Sequence, residues 1–287
     1  MSLRCRSVLL AIPVFNEEKS IDRVLGQVRQ YIEHVLVIDD GSTDATPMRL
    51  AGHRVEVVRH AWNRGYGRSM QDIFRWAAVD GFDWVITMDC DEQHEPASIP
   101  CFLQAIRGGA ADVVSGSRYL RTNARDDDAP SDRRRINRTL TAEINQRLGL
   151  SLTDTFCGFK AYRVAALRTL DLSVDGYDFP MQFWVQAVAH GLRIEEIPVP
   201  RIYNDPNRSF GGSLDDPERR LCIYRCTLQR ELTKCAALLA GRNGHNSANG
   251  SGSSSASSGA SSSSTSSSSA SGSHGTQSGS SASRTAH

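Results

Sequence analysis

Short runs of aliphatic and β-branched residues alternate with segments of helical periodicity along the first part of the chain. The run Val8–Val14 is followed by apolar residues at helical spacing over Ile21–Val28, and then by the run Val35–Asp39. The pattern continues at residues 55–58, 70–79, 84–88, 99–106 and 113–115. This alternation predicts an α/β fold with a mostly parallel sheet covered by helices on both faces.

Polar segments follow the first four predicted strands. They occupy residues 13–18, 39–42, 63–67 and 89–94. In parallel α/β sheets, ligands bind beyond the carboxyl ends of the strands. The sequence therefore predicts that these segments converge on one crevice rich in carboxylates.

Asp89 and Asp91 stand one residue apart at the end of a predicted strand. Two such carboxylates can reach one hard cation, and Gln93 offers a third oxygen. Mg²⁺ or Mn²⁺ in this setting is usually completed by substrate phosphates and water, and it neutralises charge that develops on a diphosphate leaving group. The alternative is a turn in which an Asp caps the next helix.

Asp39 ends an apolar run that is expected to be a buried parallel strand. A charge there is costly unless it has a partner, so we expect Asp39 to contact a ligand. Gly41 and Ser42, which follow it, are typical of a turn between a strand and a helix.

Six motifs occur in order along the chain. They read P-x-[YF]-N-E-E, V-x-D-D-G-S-x-D, N-x-G-x-G, D-x-D-x-Q-H-x-P, G-S-R-Y and D-x-x-x-G-F, at residues 13–18, 37–44, 63–67, 89–96, 116–119 and 154–159. Together they resemble the family 2 glycosyltransferases of the GT-A fold, specifically the dolichyl-phosphate mannosyltransferase-like branch, from Val8 to about Leu214. The resemblance implies an inverting glycosyltransferase that moves mannose or another hexose from a nucleotide diphosphate sugar to a polyprenyl or dolichyl phosphate.

The resemblance also implies roles for individual residues. The nucleoside is held by Pro13, Phe15, Glu17, Val37 and Asp39. The metal and the diphosphate are held by Asp89, Asp91 and Gln93, with Cys90 between them, and Asp91 and Arg118 are the catalytic residues. Arg118 and Arg208 face phosphates, for which a planar guanidinium is well shaped.

A basic stretch, Arg133, Arg134 and Arg135, falls where this branch binds its lipid-phosphate acceptor. The sequence does not decide which of the three points inward. The alternative for at least two of them is a solvated charge run that balances the acidic residues 126–128.

Two residues depart from the family pattern. Leu214 replaces a lysine that would meet a phosphate, which weakens the nucleotide clamp or moves it to Arg201 or Arg219. Gln182 stands where many relatives have Glu. These departures keep open a non-catalytic nucleotide-sugar-binding protein. A transferase that acts on a hydroxyl acceptor in cell-envelope polysaccharide synthesis also stays open, as does the choice between GDP-mannose and a UDP-sugar as donor.

Composition sets the boundaries of the predicted domain. Residues 1–241 are expected to form the catalytic domain, and the Ser- and Gly-rich residues 242–287 a disordered tail. Residues 217–240 suit an amphipathic helix that lies on the domain or on an anionic bilayer, without crossing it.

Charge and cysteine content bear on partners and compartment. The net charge of +1 gives no general attraction to nucleic acid. Seven scattered cysteines match neither a disulfide framework nor a paired zinc motif. This cysteine usage suits a reducing cytoplasm. We expect a cytoplasmic protein that lies peripherally on the cytoplasmic face of the membrane.

Overall fold

The computed structural model describes residues 8–121, 126–203 and 211–249, with side chains as far as residue 242. A seven-stranded sheet has the strand order β3-β2-β1-β4-β6-β5-β7. The strands are β1 Val8–Val14, β2 Val35–Asp39, β3 Glu56–Arg59, β4 Trp84–Thr87, β5 Val113–Ser117, β6 Lys160–Arg163 and β7 Ile194–Pro198. The helices are α1 Ile21–Val28, α2 Thr46–Leu50, α3 Tyr66–Val79, α4 Ile99–Gly108, α5 Ser131–Leu148, α6 Val164–Leu167, α7 Phe179–Ala189, α8 Pro217–Lys234 and α9 Ala236–Asn249.

The strand pairings are parallel except at β6. This strand runs antiparallel to both of its neighbours, β4 and β5. The other pairings, β1 with β2, β1 with β4, β2 with β3, and β5 with β7, are all parallel. The predicted mostly parallel sheet is confirmed, and β6 and β7 were not among the predicted strands.

Helices cover both faces of the sheet because the strands are apolar on both sides. Leu9 and Ala11 of β1 face a core shared with α3, α5, α7 and α8. Leu10 and Ile12 face the other core, which α1 and α4 complete. Alternate residues of a strand point to opposite faces, so one short run fills two cores. The predicted arrangement of helices on both faces is confirmed.

The C-terminal helical segment packs on the domain. Leu221, Tyr224 and Leu228 of α8 are buried in the same core as α7. The predicted single helix over residues 217–240 is interrupted, since α8 ends at Lys234 and α9 begins at Ala236. Within the described ranges, no helix is both long and apolar enough to span a bilayer. Residues 242–249, predicted as the start of a disordered tail, belong to α9, and the rest of that tail lies outside the described residues.

Gln182 is a structural residue of α7. It is fully buried, and its Oε1 accepts hydrogen bonds from the backbone N–H groups of Ser173 and Val174 at 2.8 and 2.9 Å. Its Nε2 donates to the Ser173 hydroxyl at 3.3 Å. Gln182 therefore fixes the segment before α7, which accounts for a polar residue at this position.

Replacing Gln182 tests this structural role. Gln182→Ala removes the acceptor of two N–H groups, and a buried donor left unsatisfied costs about 1–3 kcal/mol. We expect urea denaturation to show a loss of that size in the free energy of unfolding. Gln182→Glu keeps an acceptor oxygen at the same place and should lose less. Equal losses in the two variants would contradict the assignment.

Candidate active site

Asn16 ties the loop after β1 to the loop after β2. Its backbone has a φ of 57°, an uncommon conformation that Asn tolerates better than most residues. The Asn16 Oδ1 accepts from the backbone N–H of Thr43 at 2.8 Å, and the Asn16 N–H donates to the Ser42 hydroxyl at 3.0 Å. The motif residue Asn16 therefore sets the shape of this rim of the crevice.

Asp40 holds the third loop against the second. Its two oxygens accept from the backbone N–H groups of Arg64 and Gly65, each at 2.8 Å, and Oδ1 lies 2.6 Å from His60 Nδ1. Gly65 has a φ of 101°, and a Cβ there would collide with the carbonyl oxygen of Asp175. Glycine is thus required at this position of the N-x-G-x-G motif.

A cavity of about 820 Å³ opens where these loops meet. Many of the residues proposed from the sequence share its lining, namely Pro13, Phe15, Glu17, Asp89, Cys90, Asp91, Gln93, Arg118 and Arg133. Segments far apart in the chain therefore converge on one space, as the sheet topology requires.

The Asp89 and Asp91 carboxylates have the surroundings that a metal ligand needs. Gly158 leaves room for the first, because a Cβ at that position would lie 2.5 Å from Asp89 Oδ2. The Asp89 N–H donates to Nδ1 of the buried His94 at 2.9 Å, which fixes the backbone at this turn. Asp91 Oδ1 accepts from the Gln93 N–H at 3.1 Å. Hard oxygen atoms at this edge fit Mg²⁺ or Mn²⁺.

The protein supplies too few acidic or soft side chains to enclose an ion here. Among the described residues, no group of three or more His, Cys, Asp or Glu side chains is placed to hold a metal. Two carboxylates leave coordination positions for a diphosphate and water, which is the usual arrangement for Mg²⁺ at phosphate-transfer sites.

Val37 and Asp39 lie outside the cavity lining. Asp39 is fully buried, and its Oδ1 accepts from the Ser42 N–H at 2.9 Å. Its Oδ2 lies 3.1 Å from Arg59 Nε, and the Arg59 side chain is half exposed. Arg59 thus accounts for the charge at the end of β2, and the contact of Asp39 with a nucleoside stays a prediction.

Arg118 forms a buried ion pair with Asp154. Its Nε donates to Asp154 Oδ2 at 2.6 Å and its Nη2 to Oδ1 at 3.0 Å, while Nη1 lies 3.4 Å from the Tyr203 hydroxyl. Burial alone would raise the pKa of Asp154, but the Arg118 guanidinium and the Asn137 amide hold it at about 2. Burial opposes the charge of Arg118 as well, and Asp154 raises the Arg118 pKa above its ordinary value. Both groups therefore stay charged.

The structure distinguishes the three consecutive arginines of α5. Arg133 lines the cavity, with Ile136 and Asn137 on the same helical face. Arg134 is exposed, and Arg135 Nη2 donates to Glu218 Oε1 at 2.6 Å on the protein surface. Of the predicted acceptor-phosphate stretch, Arg133 is the member that faces the site.

The closing motif is only partly described. Arg208 lies outside the described residues. Leu214 is partly exposed, and its carbonyl accepts from Arg220 Nη1 at 2.6 Å. Arg220, not Arg201 or Arg219, lines the cavity, where it also pairs with Asp132 at 2.6 Å.

Sequence reasoning missed the aromatic and basic wall contributed by α3, β6 and α7. Tyr66 stacks on Tyr177 with ring centroids 5.8 Å apart, and burial together with the Asp89 carboxylate raises the pKa of the Tyr66 phenol. Trp184 and Lys160 complete this side. Helical and strand patterns mark such residues only as core, so periodicity alone gave no signal for them.

Comparison with known proteins agrees with this geometry. The family model "Glycosyl transferase family 2" matches residues 10–171. The chain is 34% identical over 202 residues to an undecaprenyl-phosphate mannosyltransferase from Micrococcus luteus, an alignment that covers 67% of this chain and 82% of that protein.

The chain belongs to glycosyl transferase family 2.

A second relative has the same character. A polyprenol monophosphomannose synthase from Mycolicibacterium smegmatis is 31% identical over 202 residues, covering 67% of this chain and 76% of that protein. The predicted membership of the dolichyl-phosphate mannosyltransferase-like branch is confirmed. The protein is therefore an enzyme, a glycosyltransferase of the hexosyltransferase kind.

A solved structure confirms the GT-A fold of this glycosyltransferase. Glucosyl-3-phosphoglycerate synthase from Mycobacterium tuberculosis, in a complex with Mn²⁺, UDP and glucosyl-3-phosphoglycerate, superimposes with a TM-score of 0.62 at 22% identity. The likeness covers 80% of each chain.

The pKa of Asp154 gives the glycosyltransferase a defined acid sensitivity. A carboxyl that titrates near 3.8 in the unfolded chain and near 2 in the folded protein contributes stability that is complete above about pH 4. That contribution, about 2 kcal/mol, is lost as the pH falls from about 4 to about 2. Asp154→Asn should lower stability at pH 7 and lack this part of the acid loss.

Urea denaturation at a series of pH values measures both effects. Breaking a buried ion pair costs about 3–5 kcal/mol, so the variant is expected to unfold at lower urea throughout. If its stability declined between pH 4 and 2 as steeply as that of the wild type, another group would be responsible for the acid loss.

Proposed function

We propose that this glycosyltransferase moves a hexose, with inversion, from a nucleotide diphosphate sugar to a polyprenyl phosphate. One observation carries the proposal. The Asp89 and Asp91 carboxylates, suited to a metal-bound diphosphate, share a single cavity with Arg118 and Arg133, which suit a second phosphate. A transferase of this class must hold two phosphate-bearing substrates side by side, so a cavity with both kinds of group is the expected arrangement.

The donor occupies the side of the cavity formed by the loops after β1, β2 and β4. Asp89, Asp91 and Gln93 would hold Mg²⁺ or Mn²⁺, and a bound ion would neutralise the charge on the departing nucleoside diphosphate. Pro13 and Phe15 line the part of the cavity proposed for the nucleoside, with Glu17 beside them. Val37, Asp39 and Arg208 keep their proposed donor contacts as predictions.

The acceptor occupies the side next to β5 and α5. A phosphate oxygen of the acceptor attacks the anomeric carbon from the face opposite the leaving group, and the bond from that carbon to the diphosphate breaks. A phosphate monoester is already anionic near neutral pH, so its oxygen needs no general base. Arg118 and Arg133 instead orient the phosphate for attack.

The names of the relatives support this acceptor. The two relatives are an undecaprenyl-phosphate mannosyltransferase and a polyprenol monophosphomannose synthase. Mn²⁺ and UDP in the complex of the solved neighbour make Mn²⁺ the first ion to test. The base and sugar of the donor are left open by the proposal, so both GDP-mannose and UDP-hexoses belong in the assay.

Membrane contact is part of the proposal because the acceptor is a lipid. The apolar residues of α8 face the domain, so that helix does not offer them to a bilayer. A peripheral position on the cytoplasmic membrane face stays a prediction.

Transfer should require a divalent ion and the second Asp of the motif. With undecaprenyl phosphate as acceptor and GDP-mannose or UDP-hexoses as donors, excess EDTA or Asp91→Ala should lower the rate about 100-fold or more. Asp80→Ala is the control, since Asp80 is exposed at the end of α3. Full activity in excess EDTA would remove the metal from the mechanism, and transfer only to alcohols would refute the acceptor.

Arg133 and Arg134 form a matched pair for testing the acceptor side. They are adjacent on α5, but only Arg133 lines the cavity. Arg133→Met should raise the KM for undecaprenyl phosphate about 10-fold or more, the loss expected for one charge-assisted hydrogen bond. Arg134→Met should leave it within about 2-fold, the effect of an exposed charge. Similar behaviour of the two variants would argue against this arrangement of α5. Arg118 is a poorer test because replacing it leaves Asp154 buried without its partner.

A further inference from the structure

Lys160 is a buried lysine in the wall of the cavity. The residue is 4% exposed and begins β6. Lysine is rare in this chain, with Lys19, Lys160 and Lys234 as its three occurrences among 33 basic residues. A point charge placed inside the protein, in a chain that otherwise uses arginine, calls for a specific partner.

The register of the sheet places Lys160 between the two halves of the site. Its Cα is paired with Thr87 of β4 on one side and with Ser115 of β5 on the other. Asp89 follows two residues after Thr87, and Arg118 follows three residues after Ser115. The antiparallel strand β6 therefore places Lys160 between the proposed donor metal ligand and the proposed acceptor arginine.

The protein gives Lys160 a carbonyl and an aromatic ring but no carboxylate. Its Nζ donates a short hydrogen bond to the Cys157 carbonyl and lies 5.4 Å from the centroid of the Trp184 ring. Within residues 8–121, 126–203 and 211–242, no Asp or Glu oxygen lies within 4.0 Å of this nitrogen. Burial lowers the pKa of Lys160, which expresses the cost of keeping the charge there.

Nearby charges act on Lys160 without neutralising it. Asp154 and Asp89 favour its charged form, whereas Arg118 opposes it. Asp154 is already paired with Arg118 through two hydrogen bonds. A buried cation is costly without an anion in contact, and the cavity is the open side from which an anion can arrive.

We propose that the Lys160 ammonium group binds a phosphoryl oxygen of the substrates at the point where the donor diphosphate meets the acceptor phosphate. The inference rests on the proposed function and extends it by adding a cation that neither the family motifs nor the metal site supplies. The three hydrogen atoms of an ammonium group allow one bond to the Cys157 carbonyl and leave others for phosphate. Lys160 thus acts on the substrates directly.

Two variants and one control separate phosphate binding from a purely structural role. Lys160→Met keeps the length and loses the charge, and Lys160→Arg restores a charge. Lys234→Met is the control, because Lys234 is exposed on α8 and pairs with Asp171 at 2.7 Å. Thermal unfolding of each variant measures what the lost hydrogen bond to Cys157 costs the fold.

Binding is measured with two pairs of probes, each consisting of a phosphate compound and its phosphate-free partner. Farnesyl phosphate and farnesol report the acceptor side, and GDP or UDP with Mn²⁺, against guanosine or uridine, reports the donor side. In Lys160→Met we expect the preference for the phosphate compound to fall about 10- to 100-fold in at least one pair, the loss for a charge-assisted contact. Lys160→Arg should recover part of that preference.

The pattern of loss identifies the phosphate. A loss confined to farnesyl phosphate assigns Lys160 to the acceptor, and a loss confined to GDP or UDP assigns it to the leaving group. Unchanged preferences in both pairs, whether or not Lys160→Met unfolds at a lower temperature, overturn the proposal and leave Lys160 as a support for Cys157. Failure of the wild type to bind either phosphate compound would instead refute the proposed function itself.

Discussion

The side of the site proposed for the acceptor depends on the buried ion pair between Arg118 and Asp154. Asp154 receives two hydrogen bonds from the Arg118 guanidinium and one from Asn137 of α5, and its own N–H donates to Glu196 of β7 at 3.1 Å. One residue thereby connects the end of β5, the helix that carries Arg133, and the edge of the sheet. Removing either member leaves an uncompensated charge in the interior, so the pair is maintained by the high cost of breaking it.

The other carboxylates of the sequence motifs divide into two kinds with different roles. Asp40 accepts three hydrogen bonds from the loop that follows β3, and Asp39 accepts one from Ser42 and forms an ion pair with Arg59. Asp40 is buried in the wall of the cavity, whereas Asp89 and Asp91 are partly exposed there. Carboxylates that bind loops give the site its shape, and the partly exposed carboxylates are the proposed ligands of a cation. Residue type alone does not separate the two kinds, because both follow a strand and both precede a turn.

Much of the fold could be predicted from the sequence, since apolar runs and helical spacing are local patterns. The strands β1, β2 and β4 and the convergence of their loops followed from this alternation. The strand β6 could not be predicted in the same way. It is four residues long, it contains Lys160, Ala161, Tyr162 and Arg163, and its direction is set by the pairing of distant segments. Burial of its lysine is a tertiary effect that no run of residues encodes.

The inward arginine of α5 illustrates the same limit. Three consecutive arginines point in three directions around a helix, about 100° apart, so only the docking of α5 decides which one reaches the cavity. Ile136 and Asn137, both buried, settle this by turning the Arg133 face inward. The hydrophobic pattern of α5 indicates which face of the helix is buried, but it does not indicate where the cavity lies.

Charge balance explains why we propose a further cation in a site that already contains several arginines. Two phosphates that approach to about 4 Å repel by about 4 kcal/mol for each pair of unit charges at an effective dielectric constant of 20. Arg118 brings a positive charge, but Asp154 cancels it within the same pair, so the pair orients a phosphate more than it attracts one. Attraction of the phosphates requires a cation that has no carboxylate in contact with it. Within the described part of the chain Lys160 is such a cation, and β6 places it between the strands that carry the two proposed halves of the site.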